Sequence, residues 1–174
     1  LSLGALTCSL FSICGFFQSD LKKVIAYSTC SQLGFMVITF YLGQYALSLF
    51  HLFNHAYFKA MLFLSAGSII HIVNDEQDCR KLSRFGIVAP VTCTFINIGS
   101  LSLMGIFFLS GFYSKDLIIE ELESNSFFLL FYILVIISCA FTSMYSSSLI
   151  YNSLFNFNNG PKIQMKVQKE SNLK

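Results

Sequence analysis

Apolar residues run through this chain in long blocks separated by short polar stretches. A bilayer core of about 30 Å takes roughly 20 mostly apolar residues per helix. On that measure the blocks predict five membrane-spanning helices, over residues 1–17, 26–43, 45–73, 91–113 or beyond, and 127–155. The predicted fold is all-α and polytopic, with one transmembrane unit over residues 1–155. A polar tail follows over 156–174, where Gly160 and Pro161 end any helix.

The informative positions are the polar residues inside the apolar blocks. The stretch HLFNHAYFKAMLFL places His51, His55 and Lys59 four residues apart. Each step of four turns only about 40° around a helix and rises about 6 Å, so the three form one stripe. Lys59 lies about 20 Å of helix rise from either end of its span, too far for its stem to carry the charge to the interface. A charge at that depth costs about 2.5–3.5 kcal/mol on insertion scales. Two readings fit. In the first the stripe is a proton relay, because imidazole titrates near neutrality and a lysine held out of water releases its proton more readily. In the second the histidines bond neighbouring helices and Lys59 pairs with a carboxylate of another chain. His51 and His55 also have chelating spacing. No acid or cysteine accompanies them and lysine is a poor ligand, so no metal site is expected.

A second cluster, GIFFLSGFYSKD, gathers Gly105, Ser110 and Gly111 within the fourth block. Such residues weaken a helix and allow a break that frees backbone groups to face a polar cavity. A straight helix would leave Lys115 at the interface, whereas a break near Gly111 would move it into the membrane. The loop NDEQDCRKLSRF reads equally as a solvated turn or as a contact with a neighbour. His71, beside it, reads as a hydrogen-bonded interface residue.

Charge adds an orientation. With five spans, the 18–25 loop, the 74–90 loop and the tail share one side, and together they hold nine of the eleven Lys and Arg residues. The basic side, which includes Lys22, is expected to face the cytoplasm or mitochondrial matrix. Composition agrees with a membrane class: 55% of residues are hydrophobic, 11% are charged and the mean hydropathy is +0.66. The net charge of +2 is too small to argue for nucleic acid. The six cysteines form no C-x-x-C pair and read as small buried hydrophobes. No nucleotide loop or iron–sulfur pattern is present, so no cofactor is expected in this chain. The chain opens on Leu1, inside an apolar block, which reads as a fragment, a processed chain or a non-AUG start.

Four stretches then combine. SDLKKVIAYSTCSQLGFM, HLFNHAYFKAMLFLSAGSIIH, NDEQDCRKL and FLSGFYSKD occur in this order between residues 19 and 116, within a likeness that covers about residues 1–160. Together they resemble the mitochondrially encoded subunit-5 family of respiratory complex I, which is related to Mrp-type cation/proton antiporters. The resemblance implies two inverted five-helix repeats, each with a broken helix and a half-channel, and this chain is similar to the second repeat. It implies that Lys59 is a central lysine, that His51 and His55 flank it, that Lys115 lies on the broken helix, and that Lys22 matches a position linked to proton transfer. It also implies the mitochondrial inner membrane, with the basic loops on the matrix side. The implied partners are other membrane-arm subunits, including a chain supplying the first repeat and an adjacent antiporter-like subunit. The basic side itself suits an anionic lipid such as cardiolipin, and no residue pattern pins a site. Relatives are much longer, commonly carry Pro where this chain has Phe107, and often carry Arg where it has Ser148. An Mrp-type antiporter subunit working alone and a purely structural membrane-arm fragment are the alternative readings.

Overall fold

A computed structural model of the chain describes residues 1–73, 75–79, 89–124 and 129–154. Among these residues the secondary structure is helical, in six elements: α1 (Ser2–Phe16), α2 (Leu21–Tyr41), α3 (Tyr45–Ile72), α4 (Pro90–Met104), α5 (Ser110–Ser124) and α6 (Leu129–Leu154). The tail 156–174, residues 125–128 and most of the 74–85 loop lie outside the described residues.

The third predicted helix matches α3 closely, and α1 fills the first block. The second block begins earlier than its apolar residues suggest. Leu21 opens α2, so Lys22 and Lys23 belong to its first turn rather than to a loop. The Leu21 amide donates to the Gln77 carbonyl at 3.0 Å, and Lys23 pairs with Asp20 at 2.6 Å, which supports a charged first turn. By length and composition α2 and the Leu129–Ser153 stretch of α6 each suffice to cross a bilayer. At 28 residues α3 rises about 42 Å and is long enough, but its His-His-Lys stripe lowers its hydropathy.

The fourth block is two helices. The α4 helix ends in a left-handed turn at Gly105, with φ 81°. The Gly105 amide donates to the Ser102 carbonyl and the Ile106 amide reaches back to Leu101, which together close a Schellman motif. Phe108 also has positive φ, at 68°, and the chain resumes as α5 at Ser110. Gly111 is therefore not part of the break, contrary to its place in the sequence cluster. It lies in the first turn of α5, where a Cβ would be driven into the Ser102 carbonyl. Its smallness lets the two half-helices pack closely, and the break itself rests on Gly105.

Small residues set the other close crossings. A Cβ on Gly34 of α2 would meet the Cys8 amide and the Gly4 carbonyl of α1, both at 2.8 Å. The core divides by depth. One apolar cluster gathers Leu21, Ile25, Phe58, Leu62, Leu103 and Leu149 among others, and a second gathers Ala5, Phe35, Ile38, Ile118 and Val135. Along α2, buried Leu21, Val24 and Ile25 at one end and Phe35, Met36 and Ile38 at the other flank buried Ser28, Ser31 and Gln32; along α6, Val135 and Leu149 flank buried Ser138, Thr142 and Ser146. The bundle is thus apolar above and below a polar middle layer.

Two connections meet at the basic end. The Cys79 amide donates to Ser19 at 2.9 Å, and Asp20 and Asp78 form an isolated antiparallel bridge. The 18–25 and 75–79 segments therefore lie on one side of the bundle. Burial, reinforced by the Asp20 and Asp78 carboxylates, pushes the Cys79 thiol up to about 11.

Two outcomes are expected. Gly34→Ala and Gly111→Ala, which press on backbone, lower the stability of the assembled protein by about 1–3 kcal/mol. Gly99→Ala, which presses only on the Leu62 side chain, costs less. Thermal dissociation of the solubilised assembly measures the order, and equal midpoints for all three contradict it. Alkylation of Cys79 should climb about tenfold per pH unit up to its raised value, without the plateau near pH 9 of an ordinary thiol.

Candidate functional site

The polar middle layer holds four titratable groups, His51, His55, Lys59 and Lys115, set among buried hydroxyls. His51 is 1% exposed, Lys59 4% and Lys115 4%. The sequence stripe on α3 faces inward as one line, and His55 sits between its neighbours. The His51 and His55 ring centroids are 6.3 Å apart, and the His55 ring meets Phe58 edge-on at 5.4 Å. His55 lies within electrostatic reach of Lys59, and His51 within reach of Lys115. The order across the layer is Lys59, His55, His51, Lys115.

Both ammonium groups are held by neutral oxygens of other helices. Lys59 Nζ donates to the Ile25 carbonyl at 3.2 Å and to the Ser28 hydroxyl. Lys115 Nζ donates to Thr142 Oγ1 at 2.8 Å and stands 5.7 Å from the Phe35 ring centroid. In each case the hydroxyl gives its own proton to a carbonyl three residues back, Ser28 to Ile25 and Thr142 to Cys139, both at 2.8 Å. A lone pair is left to accept the ammonium. The break lies beside Lys115: a Cβ on Gly105 would stand 3.7 Å from its Cδ, an ordinary contact.

His51 is fixed at both ring nitrogens. Nε2 lies 3.1 Å from Gln32 Oε1, and Nδ1 lies 2.9 Å from Ser114 Oγ. An amide oxygen only accepts, so Nε2 carries the proton and Nδ1 accepts from the hydroxyl. Two buried groups stand without partners here, Gln32 Nε2 and His55 Nε2. Buried polar atoms of that kind commonly hold water.

Of the residues expected from sequence, His51, His55, Lys59 and Lys115 converge. Lys22 does not join them; it is exposed in the first turn of α2. Ser110 opens α5 and its carbonyl accepts from Asn54 Nδ2 at 3.5 Å. His71 is exposed at the end of α3. Sequence reasoning passed over Gln32, Ser28, Ser114 and Thr142. The available signal was their helical spacing within apolar blocks, with Ser28, Ser31 and Gln32 sharing one face of α2. Among the described residues, no group of three or more His, Cys, Asp and Glu side chains forms a metal-binding set.

A helical membrane unit with a broken helix and buried lysines defines an antiporter-like class, and comparison with known proteins agrees. Residues 1–142 match the family described as NADH:quinone oxidoreductase/Mrp antiporter, TM, and the chain belongs to that family. It is similar to NADH-ubiquinone oxidoreductase chain 5 of Rhizopus stolonifer, with 52% identity over 92% of this chain and 25% of that relative. The same protein of Metridium senile is 53% identical over 92% of this chain and 27% of its own length. That of Chondrus crispus is 47% identical over 99% and 27%. The chain thus spans about a quarter of the length of these relatives.

Thr142→Val removes the one hydroxyl bonded to Lys115 and is expected to cost about 1.5–3 kcal/mol, the range for a hydrogen bond to a charged group. Thr142→Ser should restore most of it. Thermal dissociation of the assembly distinguishes them, and a Val variant as stable as wild type contradicts the role given to this bond.

Proposed function

We propose that this chain carries a proton half-channel of the membrane arm of respiratory complex I, as part of the subunit to which its relatives correspond. The observation that carries the reading is the buried line Lys59, His55, His51 and Lys115, whose described partners include the Ser28, Ser114 and Thr142 hydroxyls, the Gln32 amide and the Ile25 carbonyl. Imidazole and amine groups, which can gain and lose a proton, are set in series across an apolar bundle, and the partnerless His55 Nε2 marks where water completes the series. Electron transfer elsewhere in the complex drives the protonation changes, and this chain supplies no redox group.

In this reading residues 1–155 form a five-span repeat. The α4 and α5 helices together make the fourth span, and 156–174 is a polar tail. The protein sits in the mitochondrial inner membrane with the basic loops and tail facing the matrix, where Lys22 has a surface role. An adjacent antiporter-like subunit abuts this one, and cardiolipin is the lipid suited to the basic side. The matched family also includes Mrp antiporters, which supports a second reading as a cation/proton exchanger acting without NADH.

Lys59→Met should lower the protons pumped per NADH oxidised while the complex still assembles and oxidises NADH. Unchanged stoichiometry in an assembled complex rejects the relay. Sodium/proton exchange in the absence of NADH, lost in the same variant, selects the antiporter reading.

A further inference from the structure

A cavity of about 370 Å³ lies at the basic end of the bundle, between α1, α2 and α6. Gln18, Ser19 and Cys79 line it from the connections, Ser148 and Asn152 from α6, and Tyr145 lies deepest along that helix. The space suffices for on the order of ten waters. None of the residues assigned above to the relay lines it.

Tyr145 links the cavity to the polar layer. The residue is 2% exposed, and its hydroxyl is buried without a hydrogen-bond partner. It faces the Ser28 and Ser31 hydroxyls without a bond of normal geometry to either. Ser28 in turn accepts from the Lys59 ammonium. A phenol both donates and accepts, so it can pass a proton on without ionising.

We propose that this cavity is a water-filled intake vestibule on the basic side, and that Tyr145 is the residue through which it delivers protons to Lys59. The inference rests on the half-channel reading and adds its point of entry. The step balances as a proton relay. A hydronium in the vestibule gives a proton to the Tyr145 oxygen as the phenolic proton passes to Ser28 Oγ. The Ser28 proton, turned from the Ile25 carbonyl, goes to the neutral Lys59 amine. One proton enters, one ammonium forms, and both hydroxyls are left intact with their protons exchanged.

A reversible plug tests it in the assembled complex. Ser148 is exposed at the cavity, so Ser148→Cys offers a thiol there. A bulky, membrane-impermeant methanethiosulfonate is added to the basic face of sealed vesicles at neutral pH. Protons pumped per NADH should then fall by the same increment as in Lys59→Met, with uncoupled NADH oxidation retained, and a reductant should restore them. Wild type treated alike stays unaffected, because burial holds the Cys79 thiol protonated. Tyr145→Phe should show the same fall without reagent. Failure of the cysteine to react from the basic face overturns the vestibule. So does reaction with no change in pumping. Normal pumping in Tyr145→Phe overturns the role of the phenol. If Lys59→Met itself pumps normally, the half-channel reading fails. If Lys59→Met is impaired while the plugged complex and Tyr145→Phe are not, only the vestibule fails.

Discussion

A cation withdrawn from water must be solvated by something else, and inside an apolar bundle the available solvent is the protein's own backbone and hydroxyl oxygen. Lys59 and Lys115 meet this requirement in the same way. Each reaches across to a different helix and finds a serine or threonine whose own proton is already committed to a carbonyl one turn back. The hydroxyl is thereby oriented as an acceptor before the lysine arrives. Much of the architecture follows from providing these oxygens at mid-depth. Apolar clusters lie toward the two ends, hydroxyl-bearing side chains are buried in the middle, and the fourth block is interrupted beside Lys115.

The neutrality of the partners has a mechanistic side. A carboxylate bonded directly to either ammonium would hold its proton firmly. A hydroxyl and a carbonyl stabilise the ammonium less and also tolerate the free amine, because serine and threonine can turn to donate. In the proposed relay, groups that gain and lose protons repeatedly are better served by partners that accept both states. The same holds for His51, which sits between an amide oxygen and a hydroxyl.

Much of this was legible in the sequence because it is periodic. The apolar blocks located the helices, and spacing by four put His51, His55 and Lys59 in one stripe. The glycine and serine cluster marked the interrupted block. What escaped was relational. Nothing local separates Thr142, which receives Lys115 from 27 residues away, from the many other hydroxyls of α6. Gly111 read as a helix breaker because glycine weakens helices, but its place is set by the Ser102 carbonyl of the preceding helix. The start of α2 was missed for a similar reason. Its charged first turn is stabilised by the 75–79 connection, which an apolar count along the chain cannot see.

Ser114 has a single proton to give. In the arrangement described, that proton goes to His51 Nδ1. When the ring takes up a second proton, both its nitrogens become donors, and the hydroxyl must turn away. The carbonyls of Ser110 and Gly111 wait 3.4 and 3.5 Å off, in the opening turn of α5. The two bonds are mutually exclusive, so the serine acts as a toggle. Occupancy of an imidazole on one helix is written into the backbone hydrogen bonding of another, at the end of the half-helix that bears Lys115. A signal between the two sites then needs no large movement, only the rotation of one hydroxyl.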